Sequence, residues 1–246
     1  MAIQLQSGAI FLHIPKTGGS WVEKTLTQLG LSKRTLGHKH ADFERVIYPH
    51  DLREALRWTG AASLRKLAGK STFPERPPMF CFVRNPLTWY ESWWKFNQRL
   101  GWPTWGELHD TNHWHPCAAL NDLGSPDFNR FIENVISQAP GFVAGLYLRY
   151  LGEGSPLVGH QESLQQDLHA ILESLGYSIE RSMLALDRVN ESRIQEASPI
   201  SWDETLRAEV LRLEYPVMKR CGYLDTSPGV KPTVQIRSRQ GLEPTR

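Results

Sequence analysis

The chain has 246 residues, of which 40% are hydrophobic and 22% charged, with a formal net charge of +2. This length suits one large domain or two small ones, and the hydrophobic content argues against global disorder. The near-neutral charge argues against a general nucleic-acid-binding surface, which needs a basic face. The apolar runs are shorter than the ~20 residues that span a bilayer, and three cysteines are too few for a disulfide framework. We therefore expect a cytoplasmic protein without a secretory signal or membrane span.

Short buried strands alternate with helical segments along the chain. The predicted strands are residues 8–14, 34–37 and 79–83. The predicted helices are residues 21–29, 41–58 in two pieces broken near Pro49, 87–100, a helix capped by Ser125 with Pro126 at its first position, 161–175, and 204–213 behind a capping box that begins at Ser201. Two strand–turn–helix units with buried strands indicate an α/β fold with a short parallel sheet and helices on both faces. We expect one three-layer α/β/α domain over residues 1–224 and a flexible tail over 225–246.

The first candidate site is the loop after the first strand, which reads His13-Ile-Pro-Lys-Thr-Gly-Gly-Ser20. The first N–H groups of the helix that follows have no partner inside the helix, and with the helix dipole they favour a bound anion. The glycines let the backbone approach a phosphate, and Lys16 supplies a cation. This is not the loop of nucleoside triphosphatases, because its lysine precedes the glycines. The predicted ligand-binding residues are Lys16, Thr17, Gly18, Gly19, Ser20 and Trp21.

A family resemblance follows from this loop. Residues Pro15 to Ser20 match every position of P-K-T-G-[GST]-[ST], the 5′-phosphosulfate loop of sulfotransferases that use 3′-phosphoadenosine-5′-phosphosulfate (PAPS), and the chain resembles that family over roughly residues 8–96. The resemblance implies a P-loop-like strand–loop–helix, PAPS as the donor and 3′-phosphoadenosine-5′-phosphate (PAP) as the product. It also implies that the transfer needs no metal ion.

The second candidate site is the segment that starts at Arg84, at the carboxyl end of the strand 79–83, and ends at Ser92. A guanidinium can hold a phosphate through two hydrogen bonds, and a hydroxyl can bind the same anion. The segment resembles R-[ND]-P-x-x-R-x-x-S-x-[YW], the 3′-phosphate signature of the family, although Trp89 stands where many members carry a second arginine. Taken singly, Arg84 and Ser92 are equally typical of surface positions. Their order behind the first loop makes them predicted phosphate-binding residues.

Two histidines are the candidates for a general base. Sulfuryl transfer to an alcohol requires removal of the acceptor proton, and a histidine titrates in the right range for that role. His38 and His40 follow the second predicted strand, and the pattern H-x-H-x-x-F resembles the segment that carries the base in uronyl 2-O-sulfotransferases. Related glycosaminoglycan sulfotransferases use a glutamate in this region, so Glu44 is the alternative base. The two histidines are also compatible with solvated loop positions or with a helix cap.

The function implied by the resemblance is transfer of the sulfuryl group from PAPS to a hydroxyl, by an in-line reaction with a histidine base and with Lys16 near the leaving oxygen. The acceptor stays open among a glycan, a lipid, a small metabolite and a peptide tyrosine, and the sequence does not indicate the oligomeric state. Two alternatives are a non-catalytic protein that binds PAP or a polysaccharide, and another phosphate-transferring enzyme of the P-loop type.

The segment 101–124 is a long loop that is rich in tryptophan and histidine. Three interpretations are open: a lid over the substrate, a zinc site, and a loop packed by its own aromatic side chains. The spacing of His113 and His115 is not that of a usual zinc site. The residues that suggest these interpretations are Trp102, Trp105, His109, His113, Trp114, His115 and Cys117.

Overall fold

The computed structural model describes residues 2–47, 76–106, 114–152, 156–184 and 200–224. The strands in these ranges are β1 (Ala2–Leu5), β2 (Ile10–Leu12), β3 (Ser32–Leu36), β4 (Met79–Val83) and β5 (Leu157–His160). The α-helices are α1 (Gly19–Gln28), α2 (Phe43–Ile47), α3 (Pro86–Leu100), α4 (Phe128–Gln138), α5 (Phe142–Leu151), α6 (Leu164–Ser174) and α7 (Glu204–Arg220). Three 3-10 helices span Ala118–Leu123, Gln161–Ser163 and Arg181–Leu184. The architecture is therefore mixed α/β.

The five strands form one mixed sheet in the order β3-β1-β2-β4-β5. β4 pairs in parallel with β2 on one side and with β5 on the other, as the sequence predicts for β2 and β4. β1, which the sequence analysis does not predict, runs antiparallel to both β2 and β3, so the sheet is mixed and not purely parallel. The carboxyl ends of β2, β4 and β5 lie at one edge of the sheet, which is where α/β folds bind ligands.

Both faces of the sheet are covered, because alternate residues of the strands enter two different hydrophobic clusters. Ile10 and Cys81 join the cluster that includes residues of α3, α4, α5 and α7. Phe11 and Phe80, their neighbours in sequence, join the cluster that includes residues of α1 and α6. A strand buried on both faces is hydrophobic at every position, which explains the unbroken apolar run of β4.

The helix boundaries differ from the predictions at their caps. The N-cap of α4 is Asp127 and not Ser125, and Ser125 accepts a hydrogen bond from the Asp127 N–H through its hydroxyl (3.1 Å). The N-cap of α7 is Asp203, whose carboxylate accepts the N–H groups of Thr205 and Leu206, so the capping box predicted at Ser201 is wrong. α5 and β5 are not among the predicted elements. The second piece of the predicted helix 41–58 and the tail 225–246 lie outside the described residues.

Candidate functional site

Lys16 lies in the turn between β2 and α1 with its backbone in the left-handed region, at a φ of 64°. Its Nζ atom lies 4.0 Å from the centre of the Phe96 ring on α3. Two hydrogen bonds hold the loop in place. The Thr17 hydroxyl donates to the Ile14 carbonyl (3.0 Å), and the indole N–H of Trp89 on α3 donates to the Pro15 carbonyl (2.8 Å). A non-glycine residue in this conformation is held there by its surroundings, so the loop fixes the direction of the Lys16 side chain.

The two glycines at the start of α1 fit spaces that have no room for a side chain. Gly18 is the N-cap of α1 at a φ of 83°, and it has no side chain that could cap the helix. A Cβ atom on Gly19 would lie 2.0 Å from the ring of His13, so this glycine is also needed for packing. Ser20 follows in the first turn and is partly buried, whereas the Trp21 side chain is 3% exposed and belongs to the hydrophobic core. Of the predicted binding residues, Ser20 is therefore partly accessible, whereas the side chains of Thr17 and Trp21 are buried.

Arg84 follows β4 and is held at its backbone and at its side chain. The Tyr147 hydroxyl donates to the Arg84 carbonyl (2.7 Å) and accepts from the Arg84 N–H (3.0 Å). The guanidinium Nε atom donates to the hydroxyl of Thr88 (3.0 Å), a residue that the sequence analysis does not select. Ser92 lies one turn beyond Thr88 on α3 and is partly buried. The guanidinium is thus oriented by α3, the helix that carries the predicted Ser92.

Lys16, Arg84 and Arg99 form a cluster of positive charge. Burial, and then the charges of Arg84 and Arg99, lower the pKa of Lys16 from 10.5 to about 8. Burial also lowers the pKa of Arg84, an effect that the charge of Glu162 opposes. Within the described ranges no carboxylate forms an ion pair with Lys16. An anion bound here would relieve the repulsion between these cations.

His40 is fixed in one tautomer beside this loop. Its Nδ1 atom lies 2.9 Å from the carbonyl of His13, and because a carbonyl only accepts, Nδ1 carries the proton and Nε2 keeps its lone pair. The Tyr150 hydroxyl donates to the His40 carbonyl (2.6 Å). Burial lowers the pKa of His40 to about 3, although the hydrogen bond to His13 opposes that shift. His40 is therefore a neutral side chain with an unprotonated Nε2 atom at physiological pH, although its low pKa makes it a weaker base than the near-neutral titration expected from the sequence.

His115, which the sequence analysis places in the tryptophan-rich loop and not in the site, lies beside His40 with a ring-to-ring distance of 5.1 Å. Its ring stacks on Trp105 at 5.0 Å and an angle of 26°. The Cys117 N–H donates to Nδ1 of His115 (3.1 Å), so the ring proton is on Nε2. Burial lowers the pKa of His115 to about 4. The structure thus places a second imidazole, with its ring proton on Nε2, beside the His40 ring.

The described part of the tryptophan-rich loop packs on α3. Trp105 stacks on Phe96 at 5.8 Å and 16°, and its indole N–H donates to Asn97 (3.1 Å). The backbone of Trp105 exchanges two hydrogen bonds of 2.8 Å with the Asn121 side chain. The described residues of this loop therefore pack on α3 and on Asn121, and the three interpretations of the loop stay predictions. Among the described residues no group of three or more metal-ligating side chains is placed to hold a metal, and residues 107–113, with two of the loop's histidines, lie outside them.

The other two candidate bases lie differently from His40. His38 is partly buried, and its carbonyl accepts the N–H of Ala41 (3.0 Å). Glu44 is exposed on α2 and lines a cavity of about 380 Å³ whose wall also carries Asp42 and Arg149. Lys16 and His40 do not line this cavity. His40 contacts the first residue of the glycine loop, His13, through a hydrogen bond and through its ring.

Comparisons of the chain with protein-family models, curated proteins and solved structures find no match. No helix in the part of the chain that the structure describes is both long enough and apolar enough to cross a bilayer. The function therefore has to follow from the chemistry of the site alone.

Proposed function

We propose that the chain is a sulfotransferase that moves the sulfuryl group of PAPS to a hydroxyl acceptor. The observation that carries the proposal is the cluster of Lys16 and Arg84 behind two adjacent parallel strands, which leaves Lys16 without a carboxylate partner among the described residues. Partly buried cations that repel one another indicate a site for a multiply charged anion. PAPS carries phosphate groups at both ends of its nucleoside, which suits two separate cations.

The glycine loop supports binding of the 5′-phosphosulfate. The open N-terminus of α1 offers backbone N–H groups and a favourable dipole, and Gly18 lets a ligand approach the backbone closely. Lys16 would bind the bridging oxygen, and Arg84 with Ser92 would bind the 3′-phosphate. In this proposal β2, the loop and α1 form a P-loop-like donor site in a three-layer α/β/α domain.

The three cysteines are free and buried, which supports a reducing, cytoplasmic setting.

The proposed reaction needs only groups that the chain supplies. The acceptor O–H bond breaks and its proton moves to Nε2 of His40, while the acceptor oxygen forms a bond to sulfur. The bond between sulfur and the bridging oxygen breaks, and its electron pair stays on the phosphate of PAP. Lys16 stabilises the negative charge that grows on that oxygen. The Nε2–H of His115 is a donor for the acceptor oxygen, because a hydroxyl can donate to one imidazole and accept from the other.

Titration calorimetry with PAP tests the donor site. We expect the wild-type protein to bind PAP more tightly than 5′-AMP or ATP, and Lys16→Ala and Arg84→Ala to weaken PAP binding at least ~10-fold each. Lys24→Ala is the matched control, because Lys24 is an exposed lysine on α1. If folded wild-type protein does not bind PAP, the proposal is wrong. If ATP binds better than PAP, a phosphate-transferring enzyme is the better interpretation.

Release of PAP from PAPS, measured with a panel of hydroxyl compounds that includes oligosaccharides, tests the chemistry. We expect His40→Asn to lower the rate by ~10²-fold or more without changing the affinity for PAP. Tight PAP binding without turnover on any acceptor would favour a non-catalytic nucleotide-binding protein.

A further inference from the structure

We call the Arg84 guanidinium and the backbone N–H of Asn85 the Arg84 corner. Glu162 lies against this corner, although the proposed reaction does not use it. It follows β5, the strand beside β4, in the short 3-10 helix Gln161–Ser163. Its Oε1 atom accepts the backbone N–H of Asn85 (2.9 Å), and its Oε2 atom accepts the hydroxyl of Tyr223 (3.0 Å). The charge of Glu162 also acts on Arg84. Burial lowers the pKa of Arg84, and of the effects that raise it the charge of Glu162 is the largest.

The contact with Asn85 is one that a phosphate would make. Asn85 is the N-cap of the 15-residue helix α3, so its backbone N–H lies at the positive end of that helix and directly follows Arg84. A backbone N–H at a helix N-terminus beside a guanidinium is a favourable place for an anion. In this structure the chain's own carboxylate takes that N–H. Glu162 is exposed, so its carboxylate lies at the protein surface.

We propose that Glu162 is an internal anion that competes with the 3′-phosphate of the nucleotide for the Arg84 corner. This inference rests on the proposed function. A 3′-phosphate and the carboxylate repel each other and share the Asn85 N–H, so the carboxylate must leave its position before the phosphate binds. Glu162 therefore keeps PAP affinity lower than the cations alone would give. Lower affinity for the product favours its release, which limits the rate in many enzymes.

The test is titration calorimetry of PAP and 5′-AMP with wild type, Glu162→Gln and the matched control Glu133→Gln, an exposed glutamate on α4. The amide keeps an oxygen for the Asn85 N–H but removes the charge. We expect Glu162→Gln to bind PAP about tenfold more tightly than wild type at low salt, and to bind 5′-AMP as wild type does. In the Arg84→Ala background, Glu162→Gln should not tighten PAP binding. Tyr223→Phe removes the second anchor of the carboxylate and should tighten PAP binding in the same direction by a smaller factor.

The outcomes separate the two proposals. If no variant binds PAP although all are folded by circular dichroism, the proposed function fails and the role of Glu162 falls with it. If wild type binds PAP and Glu162→Gln binds it equally or more weakly, only the inference about Glu162 fails. An equal gain for PAP and 5′-AMP would also overturn it, because the competition would not then involve the 3′-phosphate.

Discussion

PAP affinity should fall as the pH rises through about 8, because the cation proposed to bind the 5′-phosphate loses its proton there. Burial, Arg84 and Arg99 lower the pKa of Lys16 in the free protein to about 8. A phosphate anion beside the amine reverses that shift, so the bound complex keeps the proton to a higher pH. Binding then takes up a proton above pH 8, and linkage requires the affinity to decrease as the pH increases.

The size of the effect follows from the fraction of Lys16 that is protonated. With a pKa of about 8 this fraction falls from about nine-tenths at pH 7 to about one-tenth at pH 9, so the Kd for PAP should rise about tenfold. The Cys117 thiol, whose charge would act on Lys16, and the Tyr223 phenol do not titrate in this window, since burial raises the pKa of each well above its ordinary value.

The assay is PAP titration calorimetry at pH 7, 8 and 9 and constant ionic strength. Lys16→Arg is the decisive variant, because a guanidinium stays charged over this range and should give a Kd independent of pH. Lys24→Ala should show the same profile as wild type. A wild-type Kd that stays constant from pH 7 to 9, together with weaker binding by Lys16→Ala, would refute the reasoning, since Lys16 would then keep its proton without a ligand.

Three further predictions concern packing and catalysis. Gly19→Ala should destabilise the fold by about 1–3 kcal/mol in chemical denaturation, because its Cβ would overlap the buried histidine ring at the end of β2, whereas Gly145→Ala on α5 meets no atom within 4 Å and should be neutral or stabilising. His115→Phe keeps the stacking but removes the N–H donor, so turnover should fall about tenfold or more with an unchanged Kd for PAP, and unchanged turnover would contradict the role. Asp167→Asn should cost about 3 kcal/mol at pH 6, because Asp167 accepts hydrogen bonds from the backbone and the buried ring of His160. Burial lowers the pKa of His160, but hydrogen bonds to Asp167 and Cys221 raise it, and the net shift is upward. The cost of Asp167→Asn, measured by thermal melts, should therefore shrink as the pH rises, because His160 loses its proton. A cost that grows with pH would contradict this prediction.

Much of the candidate site could be predicted from the sequence, because its parts are local. An apolar run that ends in a glycine turn predicts a buried strand followed by a helix N-terminus, and β2 with α1 has this form. Likewise, the run 79–83 followed by Arg84-Asn-Pro predicts a strand that delivers an arginine to the start of a helix. The positions of Lys16 and Arg84 relative to their own strands therefore follow from nearby residues.

The partners of these residues could not be predicted, since they come from distant parts of the chain. Three contacts each join segments more than 60 residues apart. They are the ring contact of His115 with His40, the hydrogen bond of Tyr147 to Arg84, and the hydrogen bond of Asn85 to Glu162. No local pattern records such contacts, because they depend on how helices pack on the sheet and in which order the strands pair. The same holds for β1, whose backbone pairs with β2 and β3 and whose side chains enter the hydrophobic clusters on the two faces of the sheet. The sequence alone determined which cations follow the parallel strands, and only the tertiary structure decided that they repel one another, which imidazoles meet, and which carboxylate lies at Arg84.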